Sequence, residues 1–97
     1  MNQEKFDQLV AKGQRALAGF LKADMSAGII FAQMAQTERE LGDEPGADRA
    51  SNFARQAYDT VLSLLPRASM LTAQERQQIE HQLEGLRGLL MQQDPYR

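Results

Sequence analysis

No cysteine occurs among the 97 residues, which excludes disulfides, thiolate nucleophiles and cysteine-based metal sites. Histidine occurs once, at His81. Ser26, Ser51, Ser63 and Ser69 therefore share a single candidate base, and no G-x-S-x-G elbow is present. Apolar runs are short, as at Ile29-Ile30-Phe31, so no segment reads as a transmembrane helix. Met1-Asn2-Gln3-Glu4-Lys5 has no basic region leading into an apolar stretch; no signal peptide and a cytoplasmic location are expected. Val, Ile and Thr together number eight, too few to populate a sheet. Charge of one sign is also missing in excess. The net charge is −2, which gives no electrostatic case for nucleic acid or an anionic membrane. The one basic gathering, Lys5, Lys12, Arg15 and Lys22, is diluted by Glu4, Asp7 and Asp24 and reads as a solvated face. Gly13, Gly19 and Gly28 are isolated within helical pattern, so they form no P-loop or dinucleotide fingerprint. They either permit close helix contact or weaken the helix by about 1 kcal/mol each relative to alanine.

What is abundant is helix-forming: Ala, Leu, Gln, Glu and Arg dominate. At this length the chain builds one domain, 1–97, around one core. The first segment, from Asn2 to Leu41, places Phe6, Leu9, Val10, Leu17, Phe20 and Leu21 at helical steps of three and four, and the pattern continues through Met25, Ile29, Phe31, Ala32 and Ala35. A helix of that length would span on the order of 60 Å. Asp24 interrupts the stripe, and either Asp24 or Ser26 could cap a new helix. Two helices, near 2–23 and 25–41, and one bent helix both fit the pattern.

Gly42-Asp43-Glu44-Pro45-Gly46 pairs a glycine suited to a left-handed C-cap with a proline suited to a first helical turn. A helix near 46–65 follows, with the buried stripe Ala47, Ala50, Ala54, Ala57, Tyr58, Val61 and Leu65. Its alanine-rich start predicts a close approach to another helix. Pro66 ends it. Thr72 to Glu75 is a T-x-x-E capping box that opens a helix near 73–91. Its seam is Ile79, Leu83, Leu86 and Leu90, and the tail from Asp94 is expected to fray. The expected fold is all-α, an antiparallel bundle of three or four helices. Phe20, Phe31, Ala54, Tyr58, Val61, Leu65, Leu83 and Leu86 are its predicted core.

Ala54, Tyr58, Val61 and Pro66 follow the spacing A-x3-[FY]-x2-[small or β-branched]-x4-P. This resembles the second helix of a tetratricopeptide repeat, with Phe31, Ala35 and Leu41-Gly42-Asp43 similar to the repeat's first helix and turn. The likeness covers about residues 27–66 as a single unit. Gly42 and Ala54 stand twelve residues apart, about seven more than the repeat allows, close to two extra turns. The resemblance implies a helical hairpin that binds a protein or peptide.

His81-Gln82-Leu83-Glu84-Gly85 is similar to the H-x-L-K-G signature of histidine phosphotransfer domains. Gly85 matches, but Glu84 stands where that family's lysine would stabilise phosphate charge. This resemblance implies a phosphorelay carrier using His81. Glu80 and Glu84 beside His81, and the acidic Asp43, Glu44 and Asp48 at a helix start, read as solvated or dipole-complementing groups rather than metal ligands. No catalytic, cofactor-binding or metal-ligating residue is assigned and no cofactor is expected. The expectation is a non-catalytic helical interaction module with a protein or peptide partner. Self-association depends on the helix at Asp24. If it runs on unbroken, Phe6, Leu9 and Val10 project as an apolar patch, and a symmetric homodimer is the simplest cover.

Overall fold

The structure, a computed structural model, describes residues 2–93. Helix α1 (Gln3–Glu40), helix α2 (Glu44–Leu64), a short 3-10 turn (Leu65–Arg67) and helix α3 (Ala73–Gln92) follow in order. The frayed tail expected from Asp94 lies outside the described residues.

Each boundary has a local chemical cause. Asn2 caps α1 by accepting from the Lys5 N–H at 2.9 Å. At its other end Gly42 takes φ +84°, a left-handed conformation without penalty only for glycine. Asp43 N–H donates to Glu38 O at 2.8 Å and Gly42 N–H to Arg39 O at 3.1 Å, the two bonds of a Schellman motif. Asp43 then caps α2, its carboxylate accepting from Gly46 N–H at 2.9 Å. Three residues therefore reverse the chain. Pro66 falls inside the 3-10 turn; Leu65 O within it and Ala68 O just after it both accept from the Arg76 guanidinium. The capping box at α3 is complete: Thr72 Oγ1 accepts from Glu75 N–H, and Glu75 accepts from Thr72 N–H, both at 3.0 Å.

Helix α1 does not break. The 38 residues run unbroken through Asp24 and Ser26, so the separate helices near 2–23 and 25–41 are one. At 1.5 Å per residue that is about 57 Å, and the molecule's long dimension is 59 Å. Among the described residues the bundle therefore has three α-helices. Helix α2 runs antiparallel to α1, and α3 returns parallel to α1, Lys22 pairing with Glu75 near its start. At its end Gln93 donates to Ala32 O at 2.9 Å and accepts from Ser51 Oγ at 3.0 Å. Ser51 is only 3% exposed, so this bond satisfies a hydroxyl that has no access to water.

The buried row of α1 is Ala18, Leu21, Met25, Gly28, Ala32 and Ala35. It meets Ala47, Ala50, Ala54, Ala57 and Val61 of α2 and the seam Ile79, Leu83, Leu86 and Leu90 of α3. The alanine stripe thus gives the close approach its composition implies. Gly28 marks the tightest point. A Cβ there would lie 2.9 Å from Ala57 Cβ and 3.2 Å from Leu86 Cδ2.

Of the predicted core, Ala54, Val61, Leu65, Leu83 and Leu86 are buried, while Phe31 and Tyr58 are partly buried against it. Phe20 is a correction: it is 47% exposed. Its neighbour Leu21 points inward instead, fully buried, because adjacent residues on a helix are turned by about 100°.

Candidate functional site

Helix α1 carries a second apolar row, about 140° around the helix from the buried one. From Phe6 to Leu41 it recurs at alternating steps of three and four residues. Its large members, Phe6, Leu9, Phe20, Ile30, Met34 and Leu41, are all about half exposed or more. Between them stand small residues: Gly13, Ala16 and Ala23, all exposed, and the half-buried Ala27. Thr37 is the one polar member. The buried row also steps by three and four, so both follow the 3.5-residue period of supercoiled helices.

The row has two environments. At the N-terminal end, α2 and α3 are too short to accompany α1. The loop after the 3-10 turn reaches only to Gln14, whose side chain accepts from Ser69 N–H at 2.9 Å. Residues 3–13 project beyond that point for about 16 Å. Phe6, Leu9 and Val10 there are 53%, 58% and 49% exposed. Toward the other end, the row borders the open side of the α1–α2 hairpin, away from α3. Phe31 and Phe53 face one another there, ring centroids 5.1 Å apart, within aromatic pairing range. With Phe20, Ala27, Ala57 and Thr60, and with Asp24 and Gln56 as its polar members, they line a shallow groove of about 220 Å³. Phe53 itself is 51% exposed.

The polar groups singled out in the sequence lie elsewhere. His81 is exposed on α3. Above Gly85, one turn on, there is open space, and Glu84 pairs with Arg87 at 3.3 Å. In the acidic cluster, Glu44 lies 2.7 Å and Asp48 3.9 Å from Arg39, which ties the α1–α2 turn together. The Gly46 N–H, and after it the Glu38 side chain, hold Asp43 below the usual aspartate range. Glu38 is held above its ordinary value, chiefly by its hydrogen bond with Asp43. Lys22 first, and then the Thr72 N–H, hold Glu75 below the usual glutamate range. Each of these shifts has a structural partner at a helix end.

Sequence reasoning found Phe6, Leu9 and Val10 but missed Ile30, Met34 and Phe53 as surface residues. The missing signal was the phase. Sorted by phase, most apolar residues of α1 fall into two rows, each with its own three–four spacing, while Val10, Leu17, Ile29 and Phe31 lie between them. Among the described residues no helix is long and apolar enough to cross a membrane. No family model, curated protein or solved structure matches the chain.

Proposed function

We propose that this chain is a non-catalytic helical interaction module whose partner docks along the outward row of α1 and the Phe31–Phe53 edge of the hairpin. One observation carries the reading. An apolar row, with large exposed side chains at Phe6, Leu9, Phe20, Ile30 and Met34 and small residues between them, runs for most of a 38-residue helix on a face that neither α2 nor α3 covers. Exposed apolar surface extended along one helix face in this way marks interaction surfaces in proteins that remain in water. Its three–four spacing suits a helix, which buries anchors one and two turns apart. The tetratricopeptide likeness at Ala54, Tyr58, Val61 and Pro66 supports the reading by analogy, since such hairpins present grooves to partner segments. His81 has no part in it.

The absence of native cysteine makes the test direct. Met34→Cys and Gln77→Cys each create a single thiol at an exposed position, the first on the row and the second on α3 away from it. In cells expressing the chain, the thiol at Met34 is expected to react several-fold more slowly with a permeant maleimide than the thiol at Gln77. The difference should vanish after denaturation. Equal rates in the folded state would overturn the reading.

A further inference from the structure

We infer that the partner of the outward row is a second copy of this chain, packed with its α1 antiparallel. The inference rests on the interaction-surface reading and identifies the occupant. Two identical helices can pack through the row in a parallel or an antiparallel sense. In a parallel pair each residue meets its own copy. Phe20 would meet Phe20, and Gly13 would meet Gly13, giving crowding in one layer and a void two layers away.

The antiparallel pairing removes both defects. With the twofold axis passing between Leu21 and Lys22, Phe20 of one copy lies against Ala23 of the other. Ile30 lies against Gly13, Phe6 against Thr37, and Ala27 against Ala16. Leu9 against Met34 is the only layer with two large members. Large thus meets small in most layers, as interdigitation at native packing density requires.

Charge points the same way. The edge of the row that begins with the exposed Lys5 and Lys12 ends with the exposed Gln33 and Glu40. Antiparallel packing brings like edges together in opposite directions, so Lys5 of each copy faces Glu40 of the other, and Lys12 faces Gln33. A parallel pair would gather both copies' Lys5 and Lys12 at one end and both Glu40 residues at the other. The N-terminal projection then has a physical purpose. Residues 3–13 of one copy lie along residues 30–40 of the other, where Val10 reaches the Phe31–Phe53 edge.

The size of the contact argues for a weak, reversible association. A strip from Phe6 to Thr37 is about 46 Å long and one helix diameter, about 10 Å, wide. That gives on the order of 900 Å² for the two copies together, below the usual range of about 1,200–2,000 Å² for stable complexes. A reversible dimer, forming at micromolar concentrations, is therefore expected.

The test combines sedimentation equilibrium with thiol pairing. The full chain is expected to move from monomer to dimer between about 1 and 500 µM. Phe20→Glu should abolish the dimer while its far-ultraviolet circular dichroism and melting at low concentration stay as in the parent, because Phe20 is half exposed. Lys5→Glu should weaken association by about two- to fivefold for each symmetry-related pair, and adding Glu40→Lys should restore it. Mixed oxidation gives the direction. Leu9→Cys chains should form disulfides with Met34→Cys chains and not among themselves. Ready Leu9→Cys self-pairing would mean a parallel dimer and overturn the inference, as would a monomer at all concentrations. If the chain stays monomeric while the Met34 thiol is shielded in cells, the second-copy inference fails and the interaction-surface reading stands.

Discussion

Replacing Gly28 with alanine sets two effects of known size against each other. Within a helix, alanine is favoured over glycine by about 1 kcal/mol. Against this, the new Cβ would lie 2.9 Å from Ala57 Cβ and 3.2 Å from Leu86 Cδ2, where carbon atoms normally rest about 3.5–4.0 Å apart. Leu86 can swing its methyl aside, but Ala57 Cβ is fixed to the α2 backbone. Relief therefore requires α2 to move by more than half an ångström relative to α1, about 0.6–1 Å. That movement loosens the neighbouring contacts of Ala54 and Val61. Overpacking of this kind costs about 1–3 kcal/mol, so Gly28→Ala is expected to be neutral to about 2 kcal/mol destabilising. The control is Gly88→Ala on α3, where a Cβ meets nothing within 4 Å. It should stabilise by about 1 kcal/mol, raising the melting temperature by about 4–8 °C. Urea unfolding at low protein concentration measures both. Adding Ala57→Gly to Gly28→Ala should recover much of the loss in a double-mutant cycle. If Gly28→Ala stabilises as much as Gly88→Ala, the three helices do not converge at Gly28.

The remaining tests address the helix ends. Glu75 titrates below its ordinary value in the folded chain, so its contribution is full above the usual glutamate pKa, about 4.3, and is lost as pH falls through the lower folded value. Glu75→Gln should flatten that part of the acid unfolding profile; an unchanged acid limb would contradict it. Arg76→Met strips a charged donor from Leu65 O and Ala68 O and should cost about 1.5–3 kcal/mol in urea unfolding. Gln93→Leu leaves the buried Ser51 hydroxyl without its partner, at a cost of about 1–3 kcal/mol. Combining it with Ser51→Ala should recover part of that loss.

Most of the fold was legible because its punctuation is chemical. Gly42, Asp43 and Pro45 write a Schellman stop followed by a capped start, and Thr72 with Glu75 writes a reciprocal cap. Such signals act over three or four residues and need no knowledge of the rest of the chain. The α2 alanines were equally readable, since only small residues admit a neighbouring helix so closely. What the sequence left open was α1. In sequence its apolar residues read as one broad stripe, whereas most of them form two rows, and the larger side chains sit on the outer one. Size favoured Phe20 as core, but burial went to Leu21, Met25 and a run of small residues chosen by contact with the α2 alanines. The candidate surface was half legible for the same reason. Phe6, Leu9 and Val10 depend only on α1 outrunning its neighbours, whereas the exposure of Ile30, Met34 and Phe53 depends on which side of the hairpin α3 occupies.

The continuity of α1 at Asp24 is what joins these features, and it can be tested at one residue. Two rows with the same period stay on their own faces only if the helix passes residues 24–26 without a change of phase. In a two-helix arrangement capped by Asp24, Ser26 would sit in a first turn, where proline is tolerated because the N–H has no intrahelical acceptor. In the continuous helix the Ser26 N–H lies mid-helix, and a proline ring there would clash with the Lys22 carbonyl. Ser26 is exposed, so a smaller change at this site disturbs no packing, and Ser26→Ala should be neutral or slightly stabilising. Ser26→Pro should cost about 3 kcal/mol or more, a large part of the 5–15 kcal/mol typical of a domain. By kinking α1 it should also splay the outward row and remove association even in molecules that remain folded. Urea unfolding and sedimentation equilibrium read the two effects separately. A Ser26→Pro chain within about 1 kcal/mol of the parent, still dimerising, would mean that α1 turns near Asp24 and that the two rows belong to different helices.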